Sequence, residues 1–511
     1  MCMLAQVITA AVHGVDSYLV QVEVNLAPGL PAFSVVGLAQ GAVREGRERV
    51  GAALRNTGYP LPSRRITVNL APADVRKEGS AFDLPVAVGL LAASGHVDRR
   101  RVEGTAFLGE LGLDGSLRPV RGVLPVAARC VRAGVLRMVV PLPNAGEAAV
   151  VEGGTVYGAS TLAEVIAHLN GGPLLDAVGV DVDALLRGGS APVPDLRDVK
   201  GQEGAKRALE VAAAGGHNVL FLGPPGSGKT MLARRLPGIL PPLTRPEALE
   251  ATGVHSVAGV LPAGAALLTA RPFRAPHHTV SDAGLVGGGG PMRPGEASLA
   301  HHGVLFLDEL AEFRRNVLEA LRQPLEDGTV RLSRARGSEC FPARFLLVGA
   351  MNPCPCGYWG DGTDRCLCDP ERVARYRGRV SGPLLDRLDL HVEVPAVPLD
   401  SLTDETRGEG SAAVRERVTR ARGIQARRFS DVPGVYANAQ MDVSLLRRFV
   451  RPSPLVVRTL QQAVDRRGLS ARGFHRVLKV ARTLADLEGE GDVEVLHVLE
   501  ALQYRTLDRT P

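Results

Sequence analysis

Residues 218–236 read NVLFLGPPGSGKTMLARRL. An apolar run leads into the glycine-rich segment Gly223 to Thr230, and a helix-forming stretch follows. That succession of strand, loop and helix lets a backbone wrap a phosphate group. Gly223, Pro224, Pro225, Gly226, Ser227 and Gly228 supply the turn, whose N–H groups and helix end point at the anion. Lys229 brings a compact charge to the β- and γ-phosphates, and the Thr230 hydroxyl reaches Mg²⁺. The expected ligands are ATP and Mg²⁺.

Outward from this loop the same texture continues. KRALEVAAAGG (206–216) reads as a helix ending in glycines, and VLFLDE (304–309) and RFLLVGAMN (344–352) read as two more buried strands. Strands alternating with helices predict an α/β nucleotide-binding core with a parallel sheet. VLFLDE ends in two carboxylates, and hydrolysis needs one on the metal and one on the attacking water. Asp308 is read as the Mg²⁺ residue and Glu309 as the group that polarises water.

A chain of 511 residues has length for two to four domains. Hydrophobic residues at 45% and charged residues at 22% exclude wholesale disorder and fibrous repeats. The formal net charge of +6 permits a polyanionic partner without establishing one. Lysine occurs only at 77, 200, 206, 229 and 479, so each is more informative than an arginine here. No apolar run approaches the ~18 residues of a membrane span, and the first residues lack a basic leader, so a cytoplasmic protein with no membrane partner is expected.

Residues 1–170 alternate β-type runs such as SYLVQVEV and RRITVNLA with helical stretches such as REGRERVGAALRNTG, and predict a separate α/β domain. Residues 171–195, rich in Gly and Pro, read as a linker with one short helix. The ATP-binding core is expected over 196–400 and a helical domain over 401–511. In that last part Phe474, Val477, Leu478, Ala481, Leu484 and Ala485 fall on one helical stripe, and Val495, Leu496, Val498, Leu499 and Leu502 on another. Six arginines against one glutamate over 415–428 fit a solvated helix face or a nucleic-acid contact.

Longer strings then carry a family resemblance. DVKGQEGAKRALEVAAAGGHNVLFLGPPGSGKT, RPFRAPHHTVSDAGLVGGG, GVLFLDEL, MNPCPCG, SGPLLDRLDLHVEVP and LSARGFHRVLKVARTLADL resemble the magnesium-chelatase-like AAA+ ATPases, and within them the ComM/YifB family. The resemblance implies a ring of six subunits with ATP at each interface. It implies Asn352 as the sensor that orients water, Arg387 as the finger reaching a neighbour's γ-phosphate, and Arg472 as a second sensor, with Arg476 its rival, on a helical lid formed by 401–511. It also implies two hairpins facing the ring's pore, RPFRAPHHTVSDAGLVGGG and GTVRLSRARGSECFPARF. Arg331, Arg334 and Arg336 near the second tip suit DNA phosphates, or a solvated turn.

Cys354, Cys356, Cys366 and Cys368 form C-x-C-x9-C-x-C, a set that suits tetrahedral Zn²⁺ or reduced thiols packed in a loop. His277 and His278 have no carboxylate or cysteine at ligand spacing and read as structural. The N-terminal domain resembles the Lon proteolytic domain, of the ribosomal S5-type fold. Against the Lon Ser-Lys dyad, Ala81 occupies the nucleophile position and Leu124 the lysine position. Ser80 and Lys77 are the only materials for a rebuilt dyad, and Arg64 and Arg65 are weak DNA candidates. The expectation is an inactive domain on an ATP-driven hexameric DNA motor resembling a branch-migration helicase of DNA uptake. The alternative is the ATPase subunit of magnesium chelatase, whose members generally lack the Lon-like domain and the paired C-x-C insertion.

Overall fold

Alternating burial along β1 (Leu4–His13) and β2 (Asp16–Ala27) folds the N-terminal stretch into an antiparallel hairpin, in register from Leu4 opposite Asn25 to His13 opposite Asp16. The computed structural model describes residues 4–38, 41–75, 77–188, 193–290, 292–334, 337–362, 364–397, 408–467, 469–505 and 507. Next come β3 (Ala32–Val36), β4 (Arg65–Ala71), β5 (Thr105–Phe107), the small pair β6 (Glu110–Leu111) and β7 (Leu117–Arg118), β8 (Arg137–Pro141), β9 (Thr155–Ala159) and β10 (Ala177–Val178). One mixed sheet runs β10-β9-β8-β5-β1-β2-β4-β3. The helix Asp83–Ala93 is buried at every position against it, which is why DLPVAVGLLAA has no polar face. The segment 171–195 contributes β10 to this sheet and the helix Val182–Gly188.

The second unit is built on β11 (Val219–Leu222), β12 (Phe273–Arg274), the short hairpin β13 (Gly287–Gly288) with β14 (Arg293–Pro294), and β15 (Val304–Leu307). It continues with the longer hairpin β16 (Thr329–Arg334) with β17 (Gly337–Pro342), then β18 (Leu346–Met351) and β19 (Leu390–Glu393). Five of these strands form a wholly parallel sheet ordered β12-β15-β18-β11-β19. Both VLFL strands, β11 and β15, are buried at all four residues, as a sheet covered on both faces requires. β18 lies between them, so the carboxyl ends of β11, β18 and β15 stand side by side, where open α/β sheets bind ligands.

The C-terminal part is helical, as expected: Ser411–Arg428, Val443–Phe449, Pro454–Arg467, Ala471–Glu488 and Val495–Gln503. Val418, Ala421, Val477 and Leu484 from these helices join Val219, Phe221 and Val348 of the sheet in one hydrophobic cluster. The stripe along 474–485 is buried apart from half-buried Phe474. The second stripe is narrower than its spacing implied. Leu496 and Leu499 are 72% and 45% exposed, because the last helix docks through Val498, Ala501 and Leu502. The arginine run is not one solvated face either: Arg417 pairs with Glu210 and Glu409, Arg422 donates to Ala213 O, and Arg428 grips Asp486.

The two units meet on the helix Arg245–Ala258. Leu124, Val150 and Val182 pack with Leu243, Ala248 and Leu267 across the joint. At its centre the buried Glu147 accepts the Leu124 N–H at 2.8 Å, an Asn144 amide proton at 3.2 Å and the Ser256 hydroxyl. A second contact joins His13 Nδ1, at the β1–β2 turn, to Glu339 of β17 at 2.9 Å.

Candidate functional site

The loop Gly223 to Thr230 leaves β11 and enters the helix Lys229–Ile239. A side chain at Gly223 would stand 2.0 Å from the Val394 carbonyl oxygen, so the loop can lie this close to the chain after β19 only with glycine. Gly228 caps the helix at φ +93, which leaves the first helical N–H groups facing the phosphate position. Lys229 is buried, and its amine donates to Gly223 O at 2.7 Å, Pro224 O at 2.8 Å and Asn352 Oδ1 at 3.3 Å. Burial lowers its pKa against the pull of Asp308. The Ser227 hydroxyl is buried without a hydrogen-bond partner among the described residues. An orphaned hydroxyl and an ammonium resting on backbone carbonyls fit a loop shaped for a phosphate.

The carboxylates of β15 arrive where the strand ends. The Thr230 hydroxyl donates to Asp308 Oδ2 at 2.7 Å, a pairing that suits two ligands of one Mg²⁺. Glu309 follows at φ +52, a left-handed conformation uncommon outside glycine, and its side chain is 58% exposed. Its Oε2 lies 3.2 Å from His278 Nδ1. His278, expected to be structural, therefore touches Glu309, the carboxylate expected to polarise water; sequence spacing gave no sign of this. Its ring lies beside His277 at 4.0 Å between centroids.

Lys229, Thr230, Asp308 and Asn352 are thus brought together. Arg387 is held apart from them: it pairs with Glu326, donates to Pro383 O at 2.5 Å, and keeps a buried Nε without a partner among the described residues. Arg472 is 71% exposed in its side chain and 4.0 Å from Asp386. Arg476 is only 15% exposed, with its Nε 3.6 Å from Asp389 and a buried Nη1 lacking a partner among the described residues. The rival for the second-sensor role is accordingly the better enclosed of the two.

The four cysteines converge. Sγ separations are 3.2 Å for Cys354 and Cys356, 3.8 Å for Cys354 and Cys366, and 3.5 Å for Cys356 and Cys366, and Cys368 completes the group. Four thiolates on tetrahedral zinc stand ~3.8 Å apart, so the donor set fits that ion. The cysteine loop also lies against the phosphate loop at Gly357 and Pro225. Glu250, His301 and His302 form a second convergent group. There His301 Nδ1 accepts the Arg344 N–H at 3.1 Å, which leaves the proton on Nε2 for Glu250, the reverse of a metal-ligating histidine. This trio instead clamps the helix Arg245–Ala258 to the residues just before β15.

Arg331 and Arg334 lie on β16, and the Arg334 guanidinium passes beside Gly288 of β13, so the two hairpins stand together. Arg336 lies outside the described residues. In the N-terminal unit Ser80 donates to Glu110, while Lys77 is fully buried and donates to Pro72 O and to Val75 O at 2.7 Å. Neither is free to serve the other as nucleophile or base. Leu124 is buried in the joint between the units, and Arg64 and Arg65 are exposed. No described helix is long and apolar enough to cross a membrane.

Comparison with known proteins agrees with this geometry. The family model "Magnesium chelatase, subunit ChlI" matches residues 195–402, "Subunit ChlI of Mg-chelatase" matches 22–144, and the ChlI C-terminal model matches 408–505. The chain is 46% identical over 509 residues to the competence protein ComM of Haemophilus influenzae, covering 99% of this chain and 98% of that one. It is 43% identical over 509 residues to the protein YifB of Salmonella typhimurium, covering 99% and 98%. A shorter likeness, 30% over 193 residues, reaches Lon protease 2 of Bacillus subtilis and covers 31% of this chain and 33% of the protease. Full-length similarity of this kind shows that the chain belongs to the ComM/YifB family of magnesium-chelatase-like AAA+ ATPases.

Proposed function

We propose that this ATPase is a ring-forming DNA motor of the cytoplasm, a hexamer that drives branch migration of joined DNA strands during DNA uptake and recombination. The observation that carries the reading is the pairing of a complete phosphate site with a finger residue that does not enter it. Lys229, Thr230, Asp308 and Asn352 converge in one subunit, while Arg387 points to Glu326. A site that lacks its arginine within the subunit suits completion by a neighbour. The similarity to a protein named for competence supports DNA as the polymer.

In this mechanism the Lys229 amine exchanges the Gly223 and Pro224 carbonyls for phosphate oxygens. Thr230 and Asp308 would hold Mg²⁺, which would supply charge neutralisation at the phosphates. Asn352 and Glu309 position a water; its oxygen attacks the γ-phosphorus, its proton passes to Glu309, and ADP departs. Arg387 of the adjoining subunit stabilises the charge that develops, so turnover depends on how subunits are arranged. Arg331, Arg334 and Arg293, on the paired hairpins, supply cations for backbone phosphates. Cys354, Cys356, Cys366 and Cys368 hold a structural Zn²⁺. The N-terminal unit serves as an inactive platform for DNA binding or ring assembly.

Purified protein should move a four-way DNA junction in the presence of ATP and Mg²⁺, and Lys229→Ala should abolish the movement. A junction moved equally well by Lys229→Ala would overturn the proposal. Elemental analysis should return about one zinc per chain, the count four thiolate ligands hold; a content near zero removes the metal.

A further inference from the structure

A cluster outside the phosphate site joins three pieces of chain distant in sequence. His217 stands between the helix Glu203–Gly215 and β11, and its side chain is fully buried. Its Nδ1 lies 3.1 Å from Asp389 Oδ2 and its Nε2 2.8 Å from Thr483 Oγ1. A carboxylate only accepts, so Nδ1 carries the proton it gives to Asp389. Asp389 is two residues beyond Arg387, and Thr483 is fully buried in the helix that carries Arg472 and Arg476. The arrangement has the order of a nucleophile, base and acid, yet its burial bars any substrate.

The neighbouring residue strengthens the tie. Asn218 donates to the Arg387 carbonyl at 3.0 Å, accepts the Leu347 N–H of β18 at 2.8 Å, and its own carbonyl accepts the Asp389 N–H at 2.9 Å. On the helical side Thr483 Oγ1 also meets Asn438 Nδ2 at 3.1 Å. The Arg476 Nε lies 3.6 Å from the other oxygen of Asp389. The finger segment therefore has one buried anchor on the phosphate-loop strand and one on the lid helix, and His217 is the only side chain among the described residues hydrogen-bonded to both Asp389 and Thr483.

We infer that His217 is a positioning residue that makes the Arg387 segment and the lid helix Ala471–Glu488 move as one body, so that the lid's orientation in one subunit sets whether its finger reaches the next. The inference rests on the reading of Arg387 as a finger acting in trans. A buried hydrogen-bonded pin transmits a rotation that a greasy contact would let slip. Lid closure over nucleotide in one subunit would thereby report to the neighbour's hydrolytic site.

Finger delivery can be read by mixing subunits. Arg387→Ala subunits keep an intact Glu309 but offer no finger; Glu309→Gln subunits offer a finger but cannot hydrolyse. Their mixture should hydrolyse ATP only at mixed interfaces. Replacing the finger donor by Glu309→Gln with Thr483→Val, which removes at nearly constant volume the hydroxyl shared by His217, Asn438 and the Lys479 carbonyl, should lower the recovered kcat at least about fivefold, the change expected for one lost hydrogen bond of about 1 kcal/mol. Binding of a fluorescent ATP analogue to that donor should be unchanged. A Glu309→Gln with His217→Gln donor, able to reach both partners, should recover most of the rate. Full recovery with the Thr483→Val donor, or a loss matched by weaker nucleotide binding, overturns the inference. If the parent mixture itself recovers nothing, the finger reading falls and the inference with it.

Discussion

Replacing Gly357 by alanine isolates the contact between the cysteine loop and the phosphate loop. Gly357 sits at φ +91, and a methyl group there would stand 2.6 Å from Pro225 Cδ and 2.8 Å from Pro225 Cγ. Carbon atoms settle ~3.5–4.0 Å apart, so one side must retreat by about 1 Å. A proline ring has no rotamer to escape into, and the phosphate loop has to shift. Gly360 provides the control: its φ is +78 and nothing lies within 4 Å of its would-be methyl group. Both alanine variants carry the left-handed backbone penalty of ~1–2 kcal/mol, but only one carries the clash. A displacement of ~1 Å at a reacting centre costs ~10²-fold, which is ~2.7 kcal/mol of transition-state stabilisation. Steady-state ATP hydrolysis across a range of ATP concentrations should show kcat/KM falling by about 10²-fold in Gly357→Ala and little in Gly360→Ala. Thermal melting should show a loss in both from the shared backbone penalty, larger in Gly357→Ala by the cost of the clash. Equal kcat/KM in the two variants would refute the bracing of the phosphate loop by the cysteine loop.

Glu309→Gln should bind a fluorescent ATP analogue normally while single-turnover hydrolysis falls ~10²–10⁴-fold, the usual contribution of a general base; unaltered turnover would move the base elsewhere. Burial pushes the His301 imidazole from 6.5 down to about 4 against the pull of Glu250. The folded chain then binds fewer protons than the unfolded one, so this stability is complete above pH 6.5 and is lost, to about 3 kcal/mol, as pH falls towards 4. Denaturant unfolding at pH 7, 5.5 and 4 should show that loss in the native chain and a smaller one in His301→Gln. Leu124→Ala should lower stability by ~2–5 kcal/mol through a cavity at the joint between the units. Leu124→Lys should gain no peptidase activity on a denatured protein substrate; any such activity would contradict the reading of the N-terminal unit as inactive.

The phosphate loop and the carboxylate strand were legible because their chemistry is local. Eight consecutive residues make the cradle, and a strand with two acidic residues at its end brings the rest. The cysteine set was legible from spacing alone, since close pairs of thiols converge once the intervening loop turns back. What escaped was long-range. His217 is one histidine in an apolar stretch, and its partners lie 172 and 266 residues away. The Ser256 and Glu147 contact spans 109 residues and two units. Composition shows charge without showing its partner, so the run over 415–428 offered no sign that Arg417, Arg422 and Arg428 are spent inside the fold. Hydrophobic periodicity likewise marked Leu496 and Leu499 for burial, although the neighbouring helix covers only part of that face.

The most direct test of a polymer-driven motor is the rate of ATP hydrolysis measured with no DNA and with single-stranded, duplex and four-way DNA at one salt concentration. A polymer-driven motor should show a marked rise with at least one DNA form, strongest for the branched one, and no hydrolysis with any of them in Lys229→Ala. Identical rates with and without every DNA form would contradict it.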